Sequence, residues 1–152
     1  RLHPADPIKR ARNRAWTDFT PDFSKALNGI YYTPTREAME AGLADSKVRL
    51  KRVEDALAAR GNDGPFFNDD KLSLVDAAYA PFLQRFEVVE RYLKTGLLNE
   101  FPHLKAWSHV ILADERVTGS VVSNFEEEFY GNLVRRDHYV ASLMKADNMA
   151  AE

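Results

Sequence analysis

Residues 64–86 read GPFFNDDKLSLVDAAYAPFLQRF and contain the strongest local pattern in the chain. Ser73 and Asp76 have the spacing of a capping box, in which each side chain pairs with a backbone N–H of the other residue. Leu72 occupies the staple position before the cap and faces Ala77. The stretch therefore predicts an aromatic turn that leads into a capped helix, and we assign Ser73 and Asp76 to folding rather than to chemistry.

Apolar residues recur at intervals of three and four along the other blocks of the chain, which is typical of helices. A first block begins at Asp6 and Pro7, and Pro21 should kink or divide it. Further blocks cover about 35–60, 73–93, 102–115 and 124–144. No run alternates as a strand would, so the sequence predicts an all-α bundle of five or more helices with short connections.

Composition excludes several classes of function. The 152 residues suit one domain, and 21 basic against 23 acidic residues leave a net charge of −2. This balance argues against binding to nucleic acid or to a membrane surface through bulk charge. The chain has no cysteine and its four histidines lack ligand spacing, so we predict neither a disulfide nor a metal site. Localisation in the cytoplasm is compatible with this composition.

Several short motifs, taken in order, resemble the C-terminal domain of cytosolic glutathione S-transferases of bacterial type. The resemblance spans residues 3–143 and depends on the order and spacing of the motifs rather than on any one of them. The matching segments are residues 65–68 (PFFN), 72–77 (LSLVDA), 81–83 (PFL), 101–107 (FPHLKAW) and 114–117 (DERV).

The resemblance implies a domain organisation. Residues 1–6 would be the remnant of an interdomain linker, residues 7–144 the helical domain and residues 145–152 a polar tail. The thioredoxin-like N-terminal domain of the family, which holds most glutathione contacts and the catalytic residue, would be absent from this chain. We therefore assign no catalytic residue here and expect the chain alone to be inactive.

The resemblance also implies a function and its partners. A complete enzyme would use glutathione as co-substrate for conjugation or thiol transfer to a hydrophobic electrophile. This domain would supply the hydrophobic wall of the substrate pocket and part of a homodimer interface, and it would not bind glutathione tightly by itself.

Substrate contacts are expected mainly on the first helix, which lines the cleft in the family. One of its faces mixes small polar and aromatic groups, which suits an apolar pocket with a few polar anchors. Trp16 could equally belong to the core, and Ser24 stands near the position of a histidine in some bacterial members. The substrate-pocket candidates are Asn13, Trp16, Thr17, Thr20 and Ser24, with Tyr130 from the last helical block.

Two basic runs, at residues 9–14 and 47–52, could attract an anion such as glutathione. Solvated helix faces with ion pairs are the more common explanation of such runs. A non-enzymatic interaction module, as in translation complexes, is the main alternative function, and a bundle that binds a ligand by itself is a third. The coding sequence upstream of Arg1 would distinguish the first two.

Overall fold

The computed structural model describes residues 4–151, and this part of the chain is helical without a β-strand. The all-α prediction is confirmed. A short 3₁₀ helix, Leu97–Glu100, precedes α5. The α-helices are α1 (Pro7–Asp18), α2 (Thr20–Tyr31), α3 (Arg36–Ala58), α4 (Leu74–Leu93), α5 (Pro102–Ala113), α6 (Glu115–Thr118), α7 (Phe125–Arg135) and α8 (Tyr139–Ala151).

The first predicted block is divided into α1 and α2, and Pro21 explains the division. A proline has no N–H to donate to the carbonyl four residues earlier, which here belongs to Thr17. The hydroxyl of Thr20 donates to that carbonyl instead. Pro21 lies in the first turn of α2, where a missing N–H is tolerated.

Helix α4 lies at the centre of the bundle and contacts α1, α2, α5 and α8. The side chains of Tyr79, Leu83 and Phe86 on this helix are almost completely buried. Pro81 lies within α4 without ending it. The apolar character of this segment therefore reflects its position, because it is surrounded by other helices on most sides.

Helices α2 and α3 cross closely, and Gly42 makes the crossing possible. A Cβ atom placed on Gly42 would lie 1.9 Å from the carbonyl oxygen of Gly29. A Cβ atom on Gly29 would meet nothing within 4 Å. The two glycines therefore differ in their structural importance: the Cα hydrogens of Gly42 face the crossing, whereas Gly29 contributes only its carbonyl to it.

Substitution of Gly42 by alanine is expected to push α2 and α3 apart. We expect the free energy of unfolding to fall by about 1–3 kcal/mol, the usual cost of overpacking. The matched control is Gly29→Ala, which adds the same methyl group in open space and should be neutral or stabilising by up to about 1 kcal/mol. Urea unfolding of both variants measures this, and equal effects would contradict the account.

The C-terminal helix α8 extends through residues that the sequence predicts as a polar tail. Residues 145–151 are helical and exposed. Five of these seven residues are Ala, Met or Lys, which favour helix without burial, and they outweigh Asp147 and Asn148. The backbone N–H of Tyr139 donates to the carbonyl of Thr33 at 2.7 Å and fixes the start of α8.

The linker prediction covers residues 1–6, of which Pro4, Ala5 and Asp6 precede α1 in non-helical backbone. Residues 1–3 and 152 lie outside the described part of the chain. The domain boundaries remain a prediction. Within residues 4–151 no helix combines the length and the hydropathy that a membrane span requires.

His138 lies in the turn between α7 and α8 in an unusual environment. Both ring nitrogens are buried and have no hydrogen-bond partner among residues 4–151. The ring lies 5.4 Å from the ring of Tyr32. Desolvation, assisted by the charge of Arg136, lowers the pKa of His138 below its ordinary value of 6.5, although the backbone of Thr33 and the charge of Asp137 oppose the shift. The imidazole is therefore neutral at pH 7.

Stability should consequently depend on pH through His138. The unfolded chain takes up a proton near pH 6.5 more readily than the folded chain, so stability is present above this pH and is lost as pH falls through the folded pKa. We expect the melting temperature to drop by a few degrees between pH 7.5 and pH 5, and His138→Phe to reduce this drop. The control His109→Gln, at an exposed position, should keep the full drop; equal drops in all three proteins would contradict the assignment.

Candidate functional site

The carboxylate of Asp76 is completely buried at the start of α4 and accepts hydrogen bonds from three segments. Its Oδ2 accepts from the backbone N–H and from the hydroxyl of Ser73, both at 2.7 Å. Its Oδ1 accepts from the N–H of Phe67 at 2.9 Å and from the indole Nε1–H of Trp107 at 2.7 Å. The capping box is present, and the same carboxylate also fixes the aromatic turn and α5.

Asp76→Asn is expected to destabilise the domain strongly. An amide of the same shape has only one acceptor oxygen, and its NH₂ group would face the donors that now bind the second oxygen. At least one buried donor would therefore lose its partner, which costs about 1–3 kcal/mol of stability. We expect a loss of about 2–4 kcal/mol in urea unfolding, more than a surface change gives. The control is Asp70→Asn on the exposed part of the same loop; a loss below about 0.5 kcal/mol at Asp76 would contradict the role.

Trp16 is half-buried and packs against the core at the end of α1. Its carbonyl oxygen accepts a hydrogen bond from the hydroxyl of Tyr79 at 2.6 Å. Its ring meets the ring of Phe19 edge-on with centroids 5.5 Å apart. Burial raises the pKa of Tyr79, which keeps this hydroxyl a donor at neutral pH. Helix α4 therefore positions the end of α1.

Thr17, Thr20 and Ser24 are half-buried, and each hydroxyl donates to a backbone carbonyl in the same helical region. Thr17 donates to Asn13 O and Ser24 donates to Pro21 O, both at 2.9 Å. The bond from Thr20 to Thr17 O belongs to the break between the helices. Their hydroxyl hydrogens are engaged locally, so these oxygens are available to a ligand mainly as acceptors.

Tyr130 is half-buried on α7 and packs against the core. Its neighbour Phe129 meets Tyr31 at the end of α2, with ring centroids 5.8 Å apart. Helix α7 therefore packs beside the C-terminal end of α2, away from the junction of α1 and α2.

Asn13 is separated from the other candidates because only 1% of its surface is exposed. It lines a cleft of about 400 Å³ between α1, the end of α3 and the loop before α4. Trp16, Thr17, Thr20 and Ser24 do not line this cleft. The face predicted from the sequence is thus divided between two places.

The two basic runs also differ in the structure. In the second run Lys47, Arg49 and Lys51 pair with exposed carboxylates at 2.9–3.2 Å. In the first run Lys9 and Arg12 line the cleft beside Asn13. The explanation by ion pairs therefore fits the second run, while the first run contributes to a charged concave surface.

Glu54 on α3 is a structural residue that sequence reasoning missed. Its carboxylate accepts from the N–H of His103 at 3.0 Å, from the N–H of Leu104 at 2.7 Å and contacts Nδ1 of His103 at 2.8 Å. It therefore caps the start of α5 from another helix. The available signal was the lack of a capping side chain at Phe101, which required a partner from elsewhere.

Comparison with known proteins identifies the fold. The family model described as "Glutathione S-transferase, C-terminal domain" matches residues 37–109. Two solved structures share the fold: the Tau class glutathione S-transferase MiGSTU from mango and the trimeric glutathione transferase TDR1 from Leishmania. The first has a TM-score of 0.65 at 24% identity and covers 87% of this chain and 62% of its own. The second has a TM-score of 0.70 at 22% identity, and the match covers 89% of this chain and 30% of the Leishmania chain.

Curated relatives extend the match to sequence. "Probable glutathione S-transferase BZ2" from Zea mays is 34% identical over 112 residues, which cover 70% of this chain and 48% of the relative. "Glutathione S-transferase L3" from Arabidopsis thaliana is 34% identical over 108 residues, with 70% and 42% covered. "Glutathione transferase GST 23" from Zea mays is 26% identical over 143 residues, with 93% and 62% covered.

Fold and matched segment together define an all-α C-terminal domain of the glutathione S-transferase type. The chain carries, over residues 37–109, the C-terminal domain of the glutathione S-transferase family. It spans about half the length of the curated relatives that it matches. The relatives named here are plant proteins, so the bacterial type is not carried forward, and the alternative of a translation module is not favoured.

Proposed function

We propose that the protein containing this chain is a glutathione transferase that adds the thiol of glutathione to an electrophile or uses it for thiol transfer. The observation that carries the proposal is the match of residues 37–109 to the C-terminal domain of that family, with relatives named as transferases at 34% identity. Because the chain spans only part of those relatives, we further propose that a thioredoxin-like domain outside these residues activates glutathione.

The proposed role of this chain is one wall of the pocket for the electrophile. Half-buried positions at the junction of α1 and α2 support it, because Trp16 offers an apolar surface and the neighbouring hydroxyl oxygens can accept hydrogen bonds. Asn13 is left out of this wall since it is buried elsewhere. The wall comprises Trp16, Thr17, Thr20 and Ser24. Tyr130 is left out of it, because α7 meets α2 at Tyr31, the end of α2 that lies away from this junction.

The partners proposed are glutathione, an apolar electrophile and a second copy of the protein, in the cytoplasm. Support for the co-substrate comes from the names of the relatives. A homodimer is proposed for the complete protein, whereas the Leishmania relative is described as trimeric. Light scattering of the full-length protein distinguishes these two assemblies.

The test compares the isolated chain with the full-length protein in conjugation of glutathione to chlorodinitrobenzene. We expect no rate above the uncatalysed reaction for the 152 residues alone and a measurable rate for the complete protein. In the complete protein, Trp16→Ala should raise KM for the electrophile about tenfold, which corresponds to about 1.4 kcal/mol of lost contact. KM for glutathione should stay unchanged.

The control substitution is Ile8→Ala. It also truncates an apolar side chain of α1, but Ile8 is 81% exposed. It should leave both KM values unchanged. The proposal would be overturned if the isolated chain catalysed the reaction. It would also be overturned if the complete protein were inactive and contained no thioredoxin-like segment.

A further inference from the structure

The cleft beside Asn13 has walls that are fixed by hydrogen bonds. The guanidinium of Arg12 donates to the carbonyl of Ala59 at 3.3 Å and joins α1 to the end of α3. The side chain of Asn62 holds the loop before α4, since its Oδ1 accepts from Gly64 N at 2.9 Å and its Nδ2 donates to Phe67 O at 3.2 Å. The loop end is anchored in turn by the bond from Phe67 N–H to Asp76. The concave shape is therefore built into the fold.

Two side-chain amides of this cleft have no hydrogen-bond partner. The Nδ2 atoms of Asn13 and Asn68 are both buried and donate to no atom of residues 4–151, and both residues line the cleft. Asn13 is 1% exposed, so bulk water does not satisfy its N–H groups. A buried donor without a partner costs about 1–3 kcal/mol. Such a pair of donors indicates that the acceptor comes from a ligand.

The charged residues of the cleft are strongly unbalanced. Among the described residues that line it, Asp69 is the single carboxylate, whereas four are cations. Among residues 4–151, none of these four cations has a carboxylate oxygen within 4.0 Å, in contrast to the paired cations of α3. The four cations are Lys9, Arg12, Arg60 and Lys71.

We propose that this cleft binds a phosphate group, either free or as the monoester of a small molecule. Guanidinium groups match the oxygens of phosphate with paired N–H donors, and amide N–H groups add further donors. A phosphate carries close to two negative charges at neutral pH, which suits the excess of cations. The half-buried Leu72 supplies apolar surface for an organic part, and 400 Å³ suits a small ligand.

The site is independent of the proposed transferase activity, because its lining residues include none of the residues of the proposed wall. Failure of one proposal therefore leaves the other standing.

The experiment is a titration of the ¹⁵N-labelled chain with inorganic phosphate, with the ionic strength held constant by chloride. We expect saturable shifts of the side-chain amide peaks of Asn13 and Asn68, with Kd on the order of 1 mM. Inorganic sulfate should produce similar saturable shifts because it is also a tetrahedral dianion. Tighter binding of glycerol 3-phosphate than of inorganic phosphate would identify an organic phosphate as the ligand class, and equal binding would identify the free ion.

Variants separate a built site from bulk charge. Arg12→Gln with Arg60→Gln should weaken phosphate binding at least about tenfold, since two charge-assisted contacts are lost. The matched control, Arg14→Gln with Lys25→Gln, changes the net charge equally at exposed positions outside the cleft and should bind within about twofold of the parent chain. Equal losses in both double variants would overturn the proposal.

Asn13→Leu supplies a further test that does not depend on charge. Leucine has a similar volume and removes the unpartnered amide, so the melting temperature should stay the same or rise. Phosphate binding, followed through the Asn68 peak, should weaken. The proposal would be overturned if Asn13→Leu bound phosphate as tightly as the parent chain. It would also be overturned if the peak shifts of the parent chain increased linearly without saturation, or if chloride caused equal shifts.

Discussion

The buried carboxylate of Asp76 is the interaction on which the rest of this domain depends. Four donors from Ser73, Phe67 and Trp107 converge on its two oxygens at 2.7–2.9 Å. One charge therefore caps the central helix, orders the aromatic turn before it and connects it to α5. One turn later Tyr79 extends the same arrangement to α1 through its bond to the carbonyl of Trp16. Both candidate surfaces involve α1, so both depend on this cluster for their geometry.

Local sequence patterns predicted the helices and the capping box because the interactions that form them lie within a few residues. The spacing of Ser73 and Asp76 is itself the signal for the box. The other donors to Asp76 were not predictable from spacing, since Trp107 is 31 residues away in sequence. The cap that Glu54 gives to α5 spans 49 residues and was missed for the same reason. Helical periodicity also placed Asn13 and Trp16 on one face, whereas packing buried the first and left the second half-exposed.

Helix α1 connects the two surfaces with distinct chemistry. Its C-terminal end presents an aromatic ring and hydroxyl oxygens, which suit an apolar electrophile. Its N-terminal half presents cations and an unpartnered amide to a separate cleft. The first surface is the proposed wall for the electrophile, and the excess of cations with the unpartnered amides distinguishes the second.

A double-mutant cycle between Asp76→Asn and Trp107→Phe, measured by urea unfolding, tests whether Asp76 joins α4 to α5. If the indole N–H and the carboxylate stabilise each other as the 2.7 Å contact indicates, the two changes are not additive. We expect a coupling free energy of at least about 1 kcal/mol, within the range found for residues in direct contact. Additive losses, with a coupling below about 0.3 kcal/mol, would contradict the role of Asp76 as the point that joins α4 to α5.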